Sequence, residues 1–173
     1  MTRSLALLLL VAMTPPGAGA QGGAPPAACT EPEHRQFDFW VGNWDTYEAG
    51  DSTKLVARNL VTPILGGCVL REVYQQTDGL VGESYSLYDA SRKRWHQSWV
   101  TNRGALLLLE GWLEEGRMVL IGREHRANGT TSLLRGVWWP QGTAVRERAD
   151  RSTDGGKTWT PVFDLVFRPH RTS

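Results

Sequence analysis

Along most of this chain, short runs of alternating apolar and polar residues are separated by turn sequences. In one run, residues 83, 85 and 87 would lie on one face of a β-strand and residues 84, 86 and 88 on the other, because successive side chains of a strand point to opposite sides. Residues 95, 97 and 99 share a face in the same way, with residues 96, 98 and 100 opposite. The alternation predicts half-buried strands, and it leaves open which face of each strand looks inward.

Ten such runs follow one another, separated by turn sequences such as Asp78-Gly79 and Asn128-Gly129. Their length and spacing, without long crossover connections, predict an all-β fold: an antiparallel up-and-down β-barrel of eight to ten strands. The apolar run 105–109 further predicts a strand that is covered on both faces. The predicted strands are 44–48, 55–63, 68–76, 82–88, 95–101, 105–113, 117–125, 131–139, 143–151 and 158–167.

Residues 1–20 have the pattern of a secretory signal peptide. Arg3 precedes the apolar stretch 5–13, and Ala18-Gly19-Ala20 supplies the small residues of a cleavage site. The apolar stretch is about half the roughly 20 residues of a membrane-spanning helix, so we expect export to the periplasm or the extracellular space without membrane insertion. Residues 21–32 are predicted to be a flexible leader, and residues 33–170 a single barrel domain with a short helical turn that closes one end.

The charge of the chain bears on its partners, and its two cysteines bear on a possible disulfide bond. Without Arg3 the chain has 18 basic and 18 acidic residues and no basic stripe, which argues against a nucleic-acid partner. Cys29 and Cys68 would enter an oxidising compartment after export. Either they form a disulfide bond, or Cys68 is a buried strand residue and Cys29 lies in a loose tail.

Two further patterns predict structural contacts. Residues 152–159 match the Asp-box pattern Ser-x-Asp-x-Gly-x-x-Trp, in which Asp154 accepts hydrogen bonds from turn amides and Trp159 packs beneath the hairpin. Gly42-Asn43-Trp44 opens the first strand. In calycin barrels such a tryptophan is covered by an arginine of the last strand, and Arg168 stands where it could stack on Trp44.

Several separated motifs of this chain also resemble a known family when taken together. They are the run 37–45, Tyr88, the cluster 94–99, Arg135 with Trp138, and the Asp-box hairpin. In this order they are similar to a family of exported bacterial proteins of unknown function with a lipocalin-like shape, and the likeness covers most of residues 33–168. The resemblance implies a calycin-type barrel. It implies no activity and transfers no catalytic residue.

The sequence contains none of the common catalytic or metal-binding motifs. Its four histidines are scattered, without His-x-His or His-Glu-x-x-His spacing, so we expect no metal site. We also expect no cofactor and no catalytic nucleophile, since no Gly-x-Gly-x-x-Gly, P-loop or nucleophile elbow is present.

Polar and aromatic residues, Glu147 among them, occupy mid-strand positions where a filled core would carry aliphatic side chains. Either they surround a cavity that binds a small, partly apolar molecule, or they face solvent through ordinary alternation. The leading hypothesis is a non-catalytic carrier or sensor. The residues expected to contact its ligand are Glu72, Tyr85, Gln97, Trp99, Arg135 and Trp138.

Two other hypotheses belong to different classes of function. An enzyme acting on a small molecule in the same cavity would use Glu72 or His96 as its acid or base. A structural or interaction module would have no cavity and would expose an apolar patch.

Overall fold

In the computed structural model, which describes residues 29–126 and 128–172, ten antiparallel strands form one closed barrel. The strands are β1 Gly42–Glu48, β2 Asp51–Ile64, β3 Val69–Gln76, β4 Val81–Asp89, β5 Arg94–Thr101, β6 Leu106–Glu114, β7 Arg117–His125, β8 Thr131–Gln141, β9 Ala144–Ser152 and β10 Thr160–Pro169. Each strand pairs with its neighbours in sequence, and β10 pairs with β1. The predicted all-β, up-and-down barrel is confirmed. The predicted signal peptide and residues 21–28 of the leader lie outside the described residues.

The structure decides which face of each strand looks inward. On β4 the inward side chains are those of residues 84 and 86, which are fully buried, while Tyr85 is on the outer surface. On β5 residues 95 and 97 are buried inside the barrel and His96 is outside. The register places Ser84 opposite Trp99, so the inward faces of neighbouring strands coincide.

An aromatic plug, residues 32–40, closes one end of the barrel. It consists of two 3₁₀ helices, Pro32–Arg35 and Asp38–Trp40, in agreement with the predicted helical turn. The ring of Phe37 stacks on Trp40 at 5.0 Å and lies 5.6 Å from Trp95 between ring centroids. The indole N–H of Trp44 donates a hydrogen bond of 3.0 Å to the carbonyl of Trp40, which attaches the plug to β1.

Cys29 and Cys68 form a disulfide bond, with their Cα atoms 5.2 Å apart. Cys68 follows the short 3₁₀ turn Leu65–Gly67, which connects β2 and β3 at the plugged end. Arg35 of the plug also donates a hydrogen bond to the carbonyl of Gly67. The disulfide and this hydrogen bond therefore attach the chain before the barrel to the β2–β3 connection.

The predicted stacking of Arg168 on Trp44 is not formed. In the β1–β10 pairing, Trp44 is opposite Pro169 and Asp45 is opposite Arg168. Because successive side chains alternate, Trp44 points into the barrel and Arg168 points out. The guanidinium of Arg168 lies instead over the ring of Tyr47, 5.0 Å from its centroid.

The hairpin between β9 and β10 has the hydrogen bonds that the Asp-box pattern predicts. Oδ1 of Asp154 accepts the backbone N–H groups of Lys157 and Thr158 at 3.0 and 2.9 Å. The indole N–H of Trp159 donates to the carbonyl of Gly156 at 3.1 Å. The carboxylate of Asp154 and the indole of Trp159 thus both stabilise the turn through hydrogen bonds to its backbone.

The predicted coverage of both faces of β6 is not found. Leu106 and Leu108 point outward and are exposed, and none of the described segments packs over them. Leu107 and Leu109 point into the barrel, so within residues 29–126 and 128–172 only one face of this apolar run is covered.

Candidate ligand cavity

The half of the barrel away from the plug encloses a cavity of about 590 Å³. Small-molecule sites typically have roughly 300–1,000 Å³, so the volume is suited to a small ligand. The cavity opens between the β1–β2 and β3–β4 turns, where Gly50 and Leu80 line it. Its deeper wall includes Leu107 and Leu109, and Trp138 forms part of the floor above the plug.

Two tryptophans of the cavity lie against inward-facing glycines. A Cβ atom placed on Gly82 would overlap the ring of Trp99, and a Cβ atom on Gly136 would overlap the ring of Trp138. The missing side chains leave space for the indoles at the barrel wall. This arrangement keeps large aromatic surfaces in the cavity without filling its centre.

Glu72, on β3, is the most buried charged group that lines the cavity, with 5 % of its surface exposed. Its Oε2 accepts a hydrogen bond of 2.7 Å from Ser84 Oγ, and Gln97 Nε2 approaches the same hydroxyl at 3.4 Å. Removal from water raises the pKa of Glu72 to about 7, and the polar groups of Ser84 and Asn59 only partly oppose this shift. Glu72 is therefore close to half protonated near neutral pH.

Glu147 faces the same cavity from β9, where it is paired with Trp138 on β8. Burial raises the pKa of Glu147 well above its ordinary value, and the negative charge of Glu72 raises it further. The indole of Trp138 acts in the opposite direction on this pKa. None of the ion pairs among the described residues involves Glu72 or Glu147.

Tyr74 is a third titratable group of this cavity. It lies two residues beyond Glu72 on the inward face of β3, and its ring makes an edge contact with Trp99 at 6.0 Å between centroids. Burial raises the pKa of its phenol, and the charges of Glu147 and Glu72 raise it further. The phenol is thus neutral at physiological pH.

Four of the six expected ligand contacts line the cavity, and the structure adds others. Glu72, Gln97, Trp99 and Trp138 are brought together from β3, β5 and β8. Tyr74 was not expected from the sequence, although alternation places it on the same face as Glu72. Once Glu72 is known to face inward, the alternation of side chains along β3 identifies Tyr74 as a second inward residue.

Tyr85 and Arg135 do not line the cavity, and their expected place there is corrected. Tyr85 is on the outer face of β4, where its hydroxyl donates to Oε2 of Glu83 at 3.3 Å. Arg135 is on the outer face of β8, where it donates to Oδ2 of Asp150 at 3.1 Å and stacks over Trp159 at 4.3 Å. Alternation places both side chains outside, since residues 84, 86, 136 and 138 point inward.

His96 also lies outside the barrel, so it cannot serve as the acid or base of a reaction in the cavity. Its Nε2 is 2.7 Å from Ser98 Oγ, and its Nδ1 is 3.6 Å from Glu110 on the outer face of β6. Of the two residues considered for proton transfer, only Glu72 faces the interior.

A second, shallower groove on the outer face of β7–β10 is a weaker candidate site. Three of its four arginines pair with acidic groups: Arg146 with Asp164 at 2.6 Å, Arg148 with Asp150 at 2.8 Å and Arg135 with Asp150 at 3.1 Å. Arg117 and Arg146 also lie over the ring of Trp139. These pairs neutralise most of the charge of the groove without a ligand, whereas Glu72 and Glu147 of the interior cavity have no cationic partner among the described residues.

The cavity geometry suits reversible binding or proton transfer. A carboxyl group with a pKa near 7 could give or take a proton at neutral pH. Within the described part of the chain, no cluster of three or more His, Cys, Asp or Glu side chains has a geometry that could hold a metal ion. Among the same residues, there is no helix with the length and apolar character needed to cross a membrane.

Comparisons with known proteins assign no family to this chain. No protein-family model matches it, and no curated protein matches it.

Proposed function

We propose that this protein is an exported carrier or sensor that binds a small, partly apolar molecule inside its barrel. The observation that carries this proposal is the open cavity of about 590 Å³, which combines indole surfaces with a few buried polar groups. The signal-peptide pattern of residues 1–20 and the Cys29–Cys68 disulfide support export, because disulfides persist in oxidising compartments. The presence of this cavity disfavours the hypothesis of an interaction module, which would have none.

Tryptophan fluorescence tests the proposal directly, because Trp99 and Trp138 line the cavity. Titration with a broad panel of metabolites and lipids is expected to give a saturable change for at least one compound. The change should be lost in Trp99→Ala. It should persist in Trp112→Ala, which removes an exposed indole from the outer face of β6.

Native mass spectrometry of protein purified from its own host provides an independent measurement. A bound small molecule of defined mass is expected in the wild type and not in Trp99→Ala. The carrier proposal fails if no compound of the panel gives a saturable response and no small molecule accompanies the native protein.

An enzyme is the second candidate, favoured by Glu72 alone. This carboxyl has a pKa of about 7, is hydrogen-bonded to Ser84, and faces a cavity that can enclose a substrate. If the protein is an enzyme, compounds that bind should change mass on incubation with the wild type and not with Glu72→Gln. If it is a carrier, they should be recovered unchanged from both.

A further inference from the structure

The charged residues that line the cavity all have the same sign. They are Glu48, Glu72, Glu147 and Asp164, and none of the lining residues is Arg, Lys or His. Asp164 is neutralised from outside by Arg146, whose Nη2 is 2.6 Å from Oδ2. Glu48 is exposed at the open end of β1. The two deep carboxyls, Glu72 and Glu147, therefore have no compensating positive charge within the described chain.

Such a pair is unfavourable for the empty protein when it is ionised. A carboxylate that is largely removed from water and has no cationic partner is costly, and a nearby negative charge raises its pKa further. The charge of Glu72 contributes to the raised pKa of Glu147, so the two groups interact across the cavity. A cation placed between them would remove the repulsion and satisfy both carboxylates.

The indole N–H of Trp138 is a further group without a partner. It is buried, and it has no hydrogen-bond acceptor in suitable geometry among the described residues. Its influence nevertheless favours the ionised form of Glu147. Ionisation of Glu147 beside a bound cation would strengthen this attraction between the indole N–H and the carboxylate.

From this arrangement we infer that the ligand is a small organic cation, an amine with an apolar portion, whose ammonium group lies between Glu72 and Glu147. The inference rests on the proposed function and specifies its ligand class. An ammonium group has three donors for carboxylate oxygens, and the faces of Trp99 and Trp138 attract cations. Leu107 and the aromatic rings accommodate the apolar portion. A carboxylate ligand would be repelled by the same groups.

Three compounds of similar shape test the sign of the charge. 2-Phenylethylamine, 2-phenylethanol and 3-phenylpropanoate share a phenyl ring and a short chain, and they are cationic, neutral and anionic. In calorimetric titrations near neutral pH, the amine is expected to bind at least about 10-fold more tightly than either analogue. Putrescine and spermidine extend the test to aliphatic amines.

Matched variants locate the cationic site. Glu147→Gln keeps the size of the side chain and removes its charge, so it should weaken amine binding by about 10-fold or more and leave the affinity for the alcohol unchanged. Glu114→Gln removes an exposed acid that lies outside the cavity and should change neither affinity. Circular dichroism confirms that each variant is folded.

Proton release gives a readout that does not depend on mutation. The titratable groups that face the ligand position are Glu72 and Tyr74 from β3 and Glu147 from β9, with Glu48 nearer the opening. Asp164 of β10 also lines the cavity, where it is paired with Arg146. Cation binding favours the ionised carboxylates, so the amine should release protons into the buffer, and its affinity should rise from about pH 5.5 to 8. The amine itself stays protonated over this range, since alkylammonium groups titrate near 10.

The outcomes separate this inference from the carrier proposal. If the alcohol or the carboxylate binds and no amine does, the cationic ligand class is wrong and the carrier proposal stands. Amine binding without proton release, or with full affinity in Glu147→Gln, also overturns the inference. If neither these compounds nor the wider panel binds, both proposals fail.

Discussion

At the residue scale, three inward-facing glycines explain how large indoles fit inside this barrel without filling its interior. Gly42, Gly82 and Gly136 each lie where a Cβ atom would overlap a tryptophan ring. Trp44 and Trp138 are two positions beyond their glycines on the same strand, whereas Trp99 reaches Gly82 from the neighbouring strand. The Gly-x-Trp pattern of the sequence therefore has a packing cause, since the glycine provides the space that the indole occupies.

A methyl group at Gly136 should disturb this packing. In Gly136→Ala the new Cβ would overlap the ring of the buried Trp138, which must move towards the cavity or the plug. Overpacking of this kind costs about 1–3 kcal/mol, so we expect the free energy of unfolding in urea to fall by that amount.

Gly50→Ala is the control for this substitution. A Cβ atom placed on Gly50 would meet no neighbouring atom within 4 Å, and the backbone of Gly50 is not in the left-handed region. The free energy of unfolding of this variant should change little or rise slightly. Equal effects of the two substitutions would show that the contact of Gly136 with Trp138 is unimportant for stability.

At the scale of single elements, the β9–β10 hairpin depends on one carboxylate. Hydrogen bonds from the backbone N–H and the hydroxyl of Thr158, from the hydroxyl of Ser152 and from the amide of Lys157 hold the pKa of Asp154 well below its usual range. In Asp154→Ala these amides lose their acceptor, so their hydrogen exchange should become faster while amides of distant strands are unaffected. Thr153→Ala, a neighbouring exposed position, is the control, and similar exchange in both variants would contradict the assigned role.

The plug and its disulfide form a second element with a measurable contribution. Cys29 and Cys68 are separated by 39 residues, and the chain-entropy model gives about 4 kcal/mol for a loop of this length. The double variant Cys29→Ser/Cys68→Ser should therefore unfold at lower urea concentration than the oxidised wild type.

Reduction of the wild type provides the control for this prediction. Wild type unfolded in the presence of a thiol reductant should match the double variant, because both lack the same covalent connection. An unchanged urea midpoint in both would show that non-covalent contacts, such as the stacking of Phe37 on Trp40, hold the plug without the disulfide.

At the scale of the whole molecule, the buried carboxyls should make stability depend on pH in an unusual direction. Burial raises the pKa of Glu72 from 4.5 to about 7, so the folded state binds more protons than the unfolded state between these values. The free energy of unfolding should then decrease as pH rises through this window, by an amount on the order of 3 kcal/mol from Glu72. Surface acids such as Asp154, with lowered pKa, lose their contribution only at more acidic pH.

Glu72→Gln tests the pH dependence, because it removes the titrating group and keeps the side chain's shape. Urea unfolding at several pH values should give a flatter profile for this variant than for the wild type between about pH 5 and 8. In Glu114→Gln the free energy of unfolding should depend on pH as it does in the wild type. The same dependence in all three proteins would mean that folding does not raise the pKa of Glu72.

Much of the architecture was predictable from the sequence because it depends on local pattern. Period-2 alternation and turn residues give strands and hairpins, and ten consecutive hairpin-connected strands have few ways to pair other than as a meander. The Asp-box hairpin is also local, since Asp154 and its partners lie within four residues of one another. These features need no knowledge of distant contacts.

Local pattern along the chain is enough to predict the strands, their order and the residue types available for a site. Closure of the barrel then selects the alternate face that looks inward, and it places Glu72, Gln97, Trp99 and Trp138 in the cavity and Tyr85, Arg135 and His96 outside. The physical reason is that a strand's two faces are equivalent until the barrel closes. Register between strands distant in sequence then fixes one face against the core, and it brings Glu147 of β9 to the same cavity as Glu72 of β3.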